Sequence, residues 1–212
     1  MTKKAQLILD VLEAMYPDAK AELTFTNHFE LLVAVVLSAQ TTDIAVNNVT
    51  PQLFKDFPTP AKMAATTPLA LESYLRTIGL YRNKAKHIHE LANQLVNDFQ
   101  GTVPNNRKDL ESLRGVGRKT ANVVISNAFG IPAIAVDTHV ERVSKRLGIA
   151  KSEDSVLIVE HNLMKLFPKE QWLKLHHQLI FFGRYHCLAK KPKCGACKLY
   201  DVCQFKNKRL FL

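Results

Sequence analysis

Four cysteines near the end of the chain form its densest group of reactive side chains. They are Cys187, Cys194, Cys197 and Cys203, with the spacing Cys-x6-Cys-x2-Cys-x5-Cys, and the other 208 residues contain none. Disulfides between these cysteines would cross-link only this last segment, and disulfides are not expected in an intracellular protein. Structural zinc commonly uses two Cys-x2-Cys pairs, whereas an iron–sulfur cluster accepts four less regularly spaced cysteines. The spacing favours an iron–sulfur cluster, with zinc or free thiols as the alternatives.

A Gly-x-Gly turn between two segments of helical periodicity is the second chemical feature. Gly115 and Gly117 lie in the stretch LRGVGRKTA, and Arg118 and Lys119 follow them directly. Glycines leave backbone N–H groups unobstructed, and the N-terminus of the next helix attracts an anion. This pattern is typical of a helix-hairpin-helix that grips DNA phosphates without reading bases. An ordinary helix cap is the alternative.

Lys119 and Asp137 are the candidate catalytic side chains. Taken singly, Lys119 would be a solvated lysine and Asp137 would be the N-cap of the helix that follows an apolar run. Lys119, at a helix N-terminus beside Arg118, is a candidate amine nucleophile.

The elements that must position these residues are helices. Apolar side chains recur at helical spacing along almost the whole chain, and proline and glycine separate the segments. We predict helices ending before Pro17 and at 29–39, 43–55, 60–65, 68–77, 82–99, 105–113, 118–129, 137–147, 153–166 and 170–182. No stretch shows convincing strand alternation. The fold class is therefore all-α.

The net charge of +10 is concentrated in two segments of the chain. Residues 183–212 carry 8 basic and 1 acidic side chains and residues 101–120 carry 5 and 2, whereas the first hundred carry 9 and 10. Basic patches commonly bind nucleic acid, and a solvated basic tail is the alternative. Lys191 and Lys193, between the cysteines, are candidate phosphate contacts.

Composition excludes several classes of protein. A hydrophobic content of 47% and a charged content of 23% argue against disorder. The longest apolar run, 31–37, is far shorter than a membrane span, and acidic residues interrupt the N-terminal apolar positions that a signal peptide would need. We expect a cytoplasmic protein with no membrane association.

Five stretches taken together resemble the endonuclease III family of DNA glycosylase/AP lyases, in the helix-hairpin-helix–Gly/Pro…Asp superfamily. They are LSAQTTD at 37–43, IGLYRNKA at 78–85, the Gly hairpin, VDTHV at 136–140 and the four cysteines. The resemblance implies two helical domains with a DNA-binding groove between them. One is a six-helix domain with the helix-hairpin-helix at 21–132, and the other is an iron–sulfur cluster domain built from 1–20 plus 133–212.

The resemblance also implies an activity and roles for individual residues. The family releases oxidised pyrimidines from duplex DNA and cleaves the resulting abasic sites by β-elimination, through a Schiff base on a lysine. That lysine corresponds to Lys119 and the essential carboxylate to Asp137. Together with the hairpin and the charge pattern, the resemblance gives the expected DNA-contacting residues Gln40, Leu80, Gly115, Gly117, Arg118, His139, Lys191 and Lys193. It implies that Cys187, Cys194, Cys197 and Cys203 would hold a [4Fe–4S] cluster. Gln40 and Leu80 would fill the gap that an extruded nucleotide leaves.

The implied partner is damaged double-stranded DNA, bound by a monomer in the cytoplasm of a bacterium, at the nucleoid. Adenine-mismatch glycosylases share the layout, but they generally lack the hairpin lysine. A non-catalytic DNA-binding or iron–sulfur protein would explain the charge, the hairpin and the cysteines. Such a protein would not explain why Lys119 and Asp137 both match the family pattern.

Overall fold

The computed structural model describes residues 1–211, in which every regular element is a helix and no strand occurs. The all-α fold class is therefore confirmed. The α-helices are α1 (Lys3–Met15), α2 (His28–Leu37), α3 (Asp43–Asp56), α4 (Pro60–Ala64), α5 (Pro68–Leu75), α6 (Tyr81–Phe99), α7 (Arg107–Ser112), α8 (Arg118–Phe129), α9 (Thr138–Arg146), α10 (Val156–Leu166) and α11 (Trp172–Tyr185). Short 3-10 segments lie at Lys169–Gln171, Cys194–Ala196 and Lys208–Phe211.

The chain divides into two compact units. One comprises Glu22–Ile131, and the other joins Met1–Ala21 to the chain from Pro132 onward. The sequence-based domain limits of 21–132 and 1–20 plus 133–212 lie within one residue of these bounds. The role assigned to each domain stays a prediction.

The unit Glu22–Ile131 is built around α2, which is apolar nearly all round. Every residue from Phe29 to Leu37 is buried, because α3, α6 and α8 all pack against this helix. The unit contains seven helical segments, one more than the expected six, and α4 is only 5 residues long. This core gives the turns at its surface a rigid support.

The second unit packs α1 and α9 against α11, and α10 against α9. Its core contains Leu12, Val140, Leu163 and Phe182 among other apolar side chains. Trp172 is part of this core, and its Nε1–H donates to the Phe167 carbonyl at 2.9 Å. None of the helices within residues 1–211 has the length and apolar content that a membrane crossing requires.

Most helices begin at a side chain that accepts a hydrogen bond from the first turn, as Thr2, Asn27, Thr42, Thr59, Thr67, Asn106, Asp137 and Ser155 do. In contrast, the N-cap residues Leu80 of α6, Gly117 of α8 and Gln171 of α11 provide no side-chain cap. The first backbone N–H groups of α6 and α8 are therefore not used by a capping side chain. Both sites coincide with expected DNA contacts.

Candidate active site and metal centre

The Gly hairpin connects α7 to α8 and is anchored by its two apolar residues. Leu113 and Val116 are buried, and the Val116 N–H donates to the Leu113 carbonyl at 3.1 Å. Gly115 has φ +79°, and a Cβ there would lie 3.3 Å from the side chains of His87 and Val36. Positive φ and this close approach together favour glycine at position 115.

The hairpin is also tied to α6 by polar contacts. The Arg114 N–H donates to Gln94 Oε1 at 2.7 Å, and Arg114 Nε lies 3.0 Å from Glu90 Oε2. These contacts hold the turn in place, and Gly117, Arg118 and Lys119 are all exposed. Lys119 is the second residue of α8, directly after the uncapped helix start.

Asp137 is the N-cap of α9. Its Oδ1 accepts the N–H groups of His139 at 2.9 Å and Val140 at 2.8 Å. Within residues 1–211, Oδ2 accepts no hydrogen bond. The carboxylate thus has one oxygen that orients it and a second that can act on a substrate. Lys119 and Asp137 belong to different units of the chain.

His139 is half-buried where α9 meets α11. A Cβ at Gly183 would lie 2.8 Å from the Cβ of His139, so glycine allows the two helices to approach this closely. Arg142 Nη2 lies 3.2 Å from His139 Nδ1. Burial, with the charges of Arg142 and Arg184, lowers the pKa of His139, while Asp137 opposes the shift. His139 is therefore favoured as a neutral ring at neutral pH.

Two arginines of α9 attach this helix to the cysteine segment. Arg142 Nε donates to the Cys187 carbonyl at 3.2 Å, and Arg146 Nη1 donates to the Leu188 carbonyl at 2.7 Å. The Arg146 carbonyl accepts the Gln204 N–H at 2.7 Å. Helix α9, which has Asp137 as its N-cap, thus contacts both ends of the cysteine segment.

The four cysteine side chains line one cavity, where Arg146 Nη1 lies 3.3 Å from Cys187 Sγ. Four thiols around one cavity form the donor set that an iron–sulfur cluster takes.

Burial raises the pKa of the Cys194 and Cys197 thiols. These thiols are therefore protonated at neutral pH when no metal is bound, and cluster binding must release their protons. A positively charged iron core supplies the compensation that a buried thiolate needs. The donor set and its burial agree with the expected cluster ligands.

The remaining expected DNA contacts lie on exposed turns. Gln40 and Leu80 both have left-handed backbones, with φ of 54° and 57°, and Leu80 is 55% exposed. The apolar spacing predicts a helix to residue 39, but α2 ends at Leu37 and Gln40 lies in the turn beyond it. Lys191 and Lys193 are exposed in the cysteine segment, and Lys191 is also left-handed, with φ of 51°.

The predictions from the sequence did not include three contributors to these sites: Arg142, Arg146 and Gly183. The i, i+4 spacing of the two arginines on one helix face was a signal for a shared contact. No local signal indicates the partner of Gly183, because its contact with His139 joins two different helices.

Comparison with known proteins shows the family of this chain. The HhH-GPD superfamily base excision DNA repair protein model matches residues 33–169, which defines the class as helix-hairpin-helix DNA repair enzymes. The iron-sulfur binding domain of endonuclease III matches residues 187–203. The chain belongs to the endonuclease III family. It is a DNA glycosylase/AP lyase that carries a [4Fe–4S] cluster.

Individual relatives match over nearly the full length. Endonuclease III of Bacillus subtilis (strain 168) is 54% identical over 207 residues, which is 98% of this chain and 94% of the relative. A solved non-covalent endonuclease III–DNA complex is 55% identical, covers 99% of both chains and superposes with a TM-score of 0.93. A trapped endonuclease III–DNA covalent intermediate is also 55% identical with a TM-score of 0.93, covering 99% of this chain and 100% of that one.

Removing a cluster ligand tests the assignment of the cysteines. We expect Cys197→Ala to lose its iron, its sulfide and its visible absorption, because one iron would lack the thiolate that attaches it to the protein. Metal analysis and the ultraviolet–visible spectrum measure this loss. Lys198→Ala, at the exposed neighbouring residue, should keep the wild-type spectrum. Wild-type iron content in Cys197→Ala would contradict the assignment.

Proposed function

We propose that this enzyme releases oxidised pyrimidines from duplex DNA and cleaves the abasic strand through a Schiff base on Lys119. The observation that supports this proposal most directly is the placement of Lys119. It is exposed at the second residue of α8, immediately after an uncapped helix start. An amine in this place can reach a deoxyribose whose phosphates lie at the hairpin N–H groups.

The proposed reaction begins with extrusion of the damaged nucleotide, which costs least where pairing and stacking are already weakened. Lys119 Nζ then bonds to C1′ as the bond from C1′ to the base breaks, and the base leaves with the bonding electrons. Opening of the sugar ring gives an imine between Nζ and C1′. Loss of a proton from C2′ then expels the 3′ phosphate by β-elimination.

Asp137 is the proposed acid–base and electrostatic partner in this reaction. Oδ1 is occupied by the N–H groups of α9, which leaves Oδ2 to take a proton from the amine or to stabilise positive charge on the sugar. His139, next to it, is proposed as a phosphate contact through a neutral ring.

The proposed DNA contacts fall into three groups. Gln40 and Leu80 fill the gap left by the extruded nucleotide. The hairpin, with Gly115, Gly117 and Arg118, binds phosphates, and Lys191 and Lys193 bind further phosphates from the cysteine segment. Cys187, Cys194, Cys197 and Cys203 hold the [4Fe–4S] cluster, which orders the segment that presents these lysines.

We further propose that a monomer acts on damaged duplex DNA in the cytoplasm, at the bacterial nucleoid.

A defined duplex tests the proposed activity. We expect free base and a 3′-side strand break from DNA containing thymine glycol, a strand break alone from an abasic duplex, and neither product from undamaged DNA. Chromatography measures base release and a denaturing gel measures cleavage. Incision of the abasic duplex without base release from thymine glycol would contradict the glycosylase part of the proposal.

Neutralising the two cluster-segment lysines tests the proposed footprint. Lys191→Ala/Lys193→Ala should weaken binding to every duplex sequence and reduce the slope of log affinity against log salt by about 2, because two phosphate contacts are lost. Fluorescence anisotropy at several salt concentrations measures the slope. The control is Lys165→Ala/Lys169→Ala, which removes two exposed lysines of the same unit. An unchanged slope would mean that Lys191 and Lys193 belong to a solvated basic tail and do not contact phosphates.

A further inference from the structure

Lys84 is a buried lysine for which the reaction described above has no use. Its side chain lies in the first turns of α6 and the residue is only 4% exposed. Within residues 1–211 it forms no ion pair with a carboxylate, and its Nζ donates a hydrogen bond to Thr41 Oγ1 at 2.5 Å. A buried amine with one neutral partner is costly to maintain, and burial lowers the pKa of Lys84 accordingly.

The contact joins two turns that are far apart in the sequence. Thr41 directly follows Gln40, and the Lys84 N–H donates to the Leu80 carbonyl at 3.0 Å, one helical turn away. The turns also approach through their backbones, because a Cβ at Gly79 would lie 4.0 Å from the Gln40 carbonyl oxygen. The Lys84–Thr41 hydrogen bond is therefore a side-chain link across the Gln40 and Leu80 turns.

Both turns need support of this kind. Gln40 and Leu80 are left-handed at non-glycine residues, a backbone conformation that persists only where the surroundings hold it. Thr41 is held locally, since its N–H donates to the Ser38 carbonyl at 3.1 Å and its hydroxyl lies 3.5 Å from the Ala39 carbonyl. Lys84 adds the contact that connects this turn to α6.

We propose that Lys84, through Thr41, is a positioning residue that holds the Gln40 and Leu80 turns at a set separation for entry into the duplex. The inference rests on the proposed gap-filling roles of Gln40 and Leu80. A set separation means that both side chains enter the DNA stack without first reorganising their turns, which favours the extruded state. Lys84 itself contacts neither the sugar nor the base.

Substitutions at both ends of the link test the proposal. We expect Lys84→Met and Thr41→Val each to lower single-turnover base release by about tenfold, since each removes a charge-assisted hydrogen bond that supports extrusion. The double variant should lose no more than either single variant, because both remove the same contact. Thr41→Ser keeps the hydroxyl and should retain the wild-type rate. Lys86→Met, at the exposed lysine two residues further along α6, should do the same.

A fluorescence measurement separates positioning from general damage to the fold. A duplex with 2-aminopurine beside a tetrahydrofuran abasic analogue should brighten when the wild type unstacks it, and should brighten less with Lys84→Met or Thr41→Val. Affinity for undamaged duplex should stay unchanged in both variants. Wild-type brightening and base release in Thr41→Val, which leaves Lys84 in place, would overturn the proposal, as would additive losses in the double variant.

The same assay distinguishes failure of this proposal from failure of the gap-filling roles. If Leu80→Ala or Gln40→Ala lowers the fluorescence signal while Lys84→Met and Thr41→Val do not, the link is wrong and the gap-filling roles stand. If neither Leu80→Ala nor Gln40→Ala changes the signal, the gap-filling roles are wrong and the inference about Lys84 fails with them.

Discussion

Lys119→Ala is expected to form no covalent adduct when borohydride is added to the enzyme on a thymine-glycol duplex, whereas the wild type is trapped. Borohydride reduces an imine to a stable amine, and alanine has no nitrogen with which to form the imine. Base release should fall by roughly 10³-fold or more, because the variant loses the nucleophile and its covalent intermediate. A denaturing gel shows the adduct as a slower DNA band.

The substitution should leave the rest of the enzyme intact. Lys119 is exposed and caps no helix, so the iron content and the melting temperature should stay at wild-type values. Lys62→Ala, at an exposed lysine on α4, is the matched control and should be trapped as efficiently as the wild type. An adduct that persists in Lys119→Ala would show that another amine is the nucleophile.

Asp137→Asn should separate the catalytic from the structural use of this side chain. The asparagine Oδ1 can still accept the N–H groups of His139 and Val140, so the start of α9 should be preserved. The amide can neither take a proton nor stabilise positive charge. We therefore expect base release to fall by about 10²- to 10⁴-fold while the free energy of unfolding changes by less than about 1 kcal/mol.

Asp137→Ala adds the loss of the cap to the loss of the carboxylate. It should lower the free energy of unfolding by a further ~1 kcal/mol and should be no more active than Asp137→Asn. Ser155→Ala is the control for cap loss alone, because Ser155 Oγ accepts the Ile158 N–H at the start of α10. This control should lose similar stability and keep its activity. Full activity in Asp137→Asn would show that Asp137 acts only as a helix cap.

Structural features formed by residues that lie close together along the chain could be predicted from the sequence. The helices follow from apolar spacing, and the bounds 118–129 agree with α8 because glycines stand at both of its ends. The four cysteines lie within 17 residues and line one cavity, as their spacing indicates. The predicted end of α2 was two residues too late, because apolar periodicity continues through a turn that only the backbone conformation defines.

Other features depend on residues that meet only after the helices have packed. Lys84 and Thr41 are 43 positions apart, and Arg142 is 45 positions from Cys187. Neither contact leaves a local pattern, because each is determined by which helix faces bury their apolar side chains together. The sequence by itself therefore determined the helical fold class, the hairpin and the cysteine set. Only the tertiary structure decided how α9 supports the cluster segment and how Lys84 links the two turns, because packing determines which distant side chains come within hydrogen-bond distance.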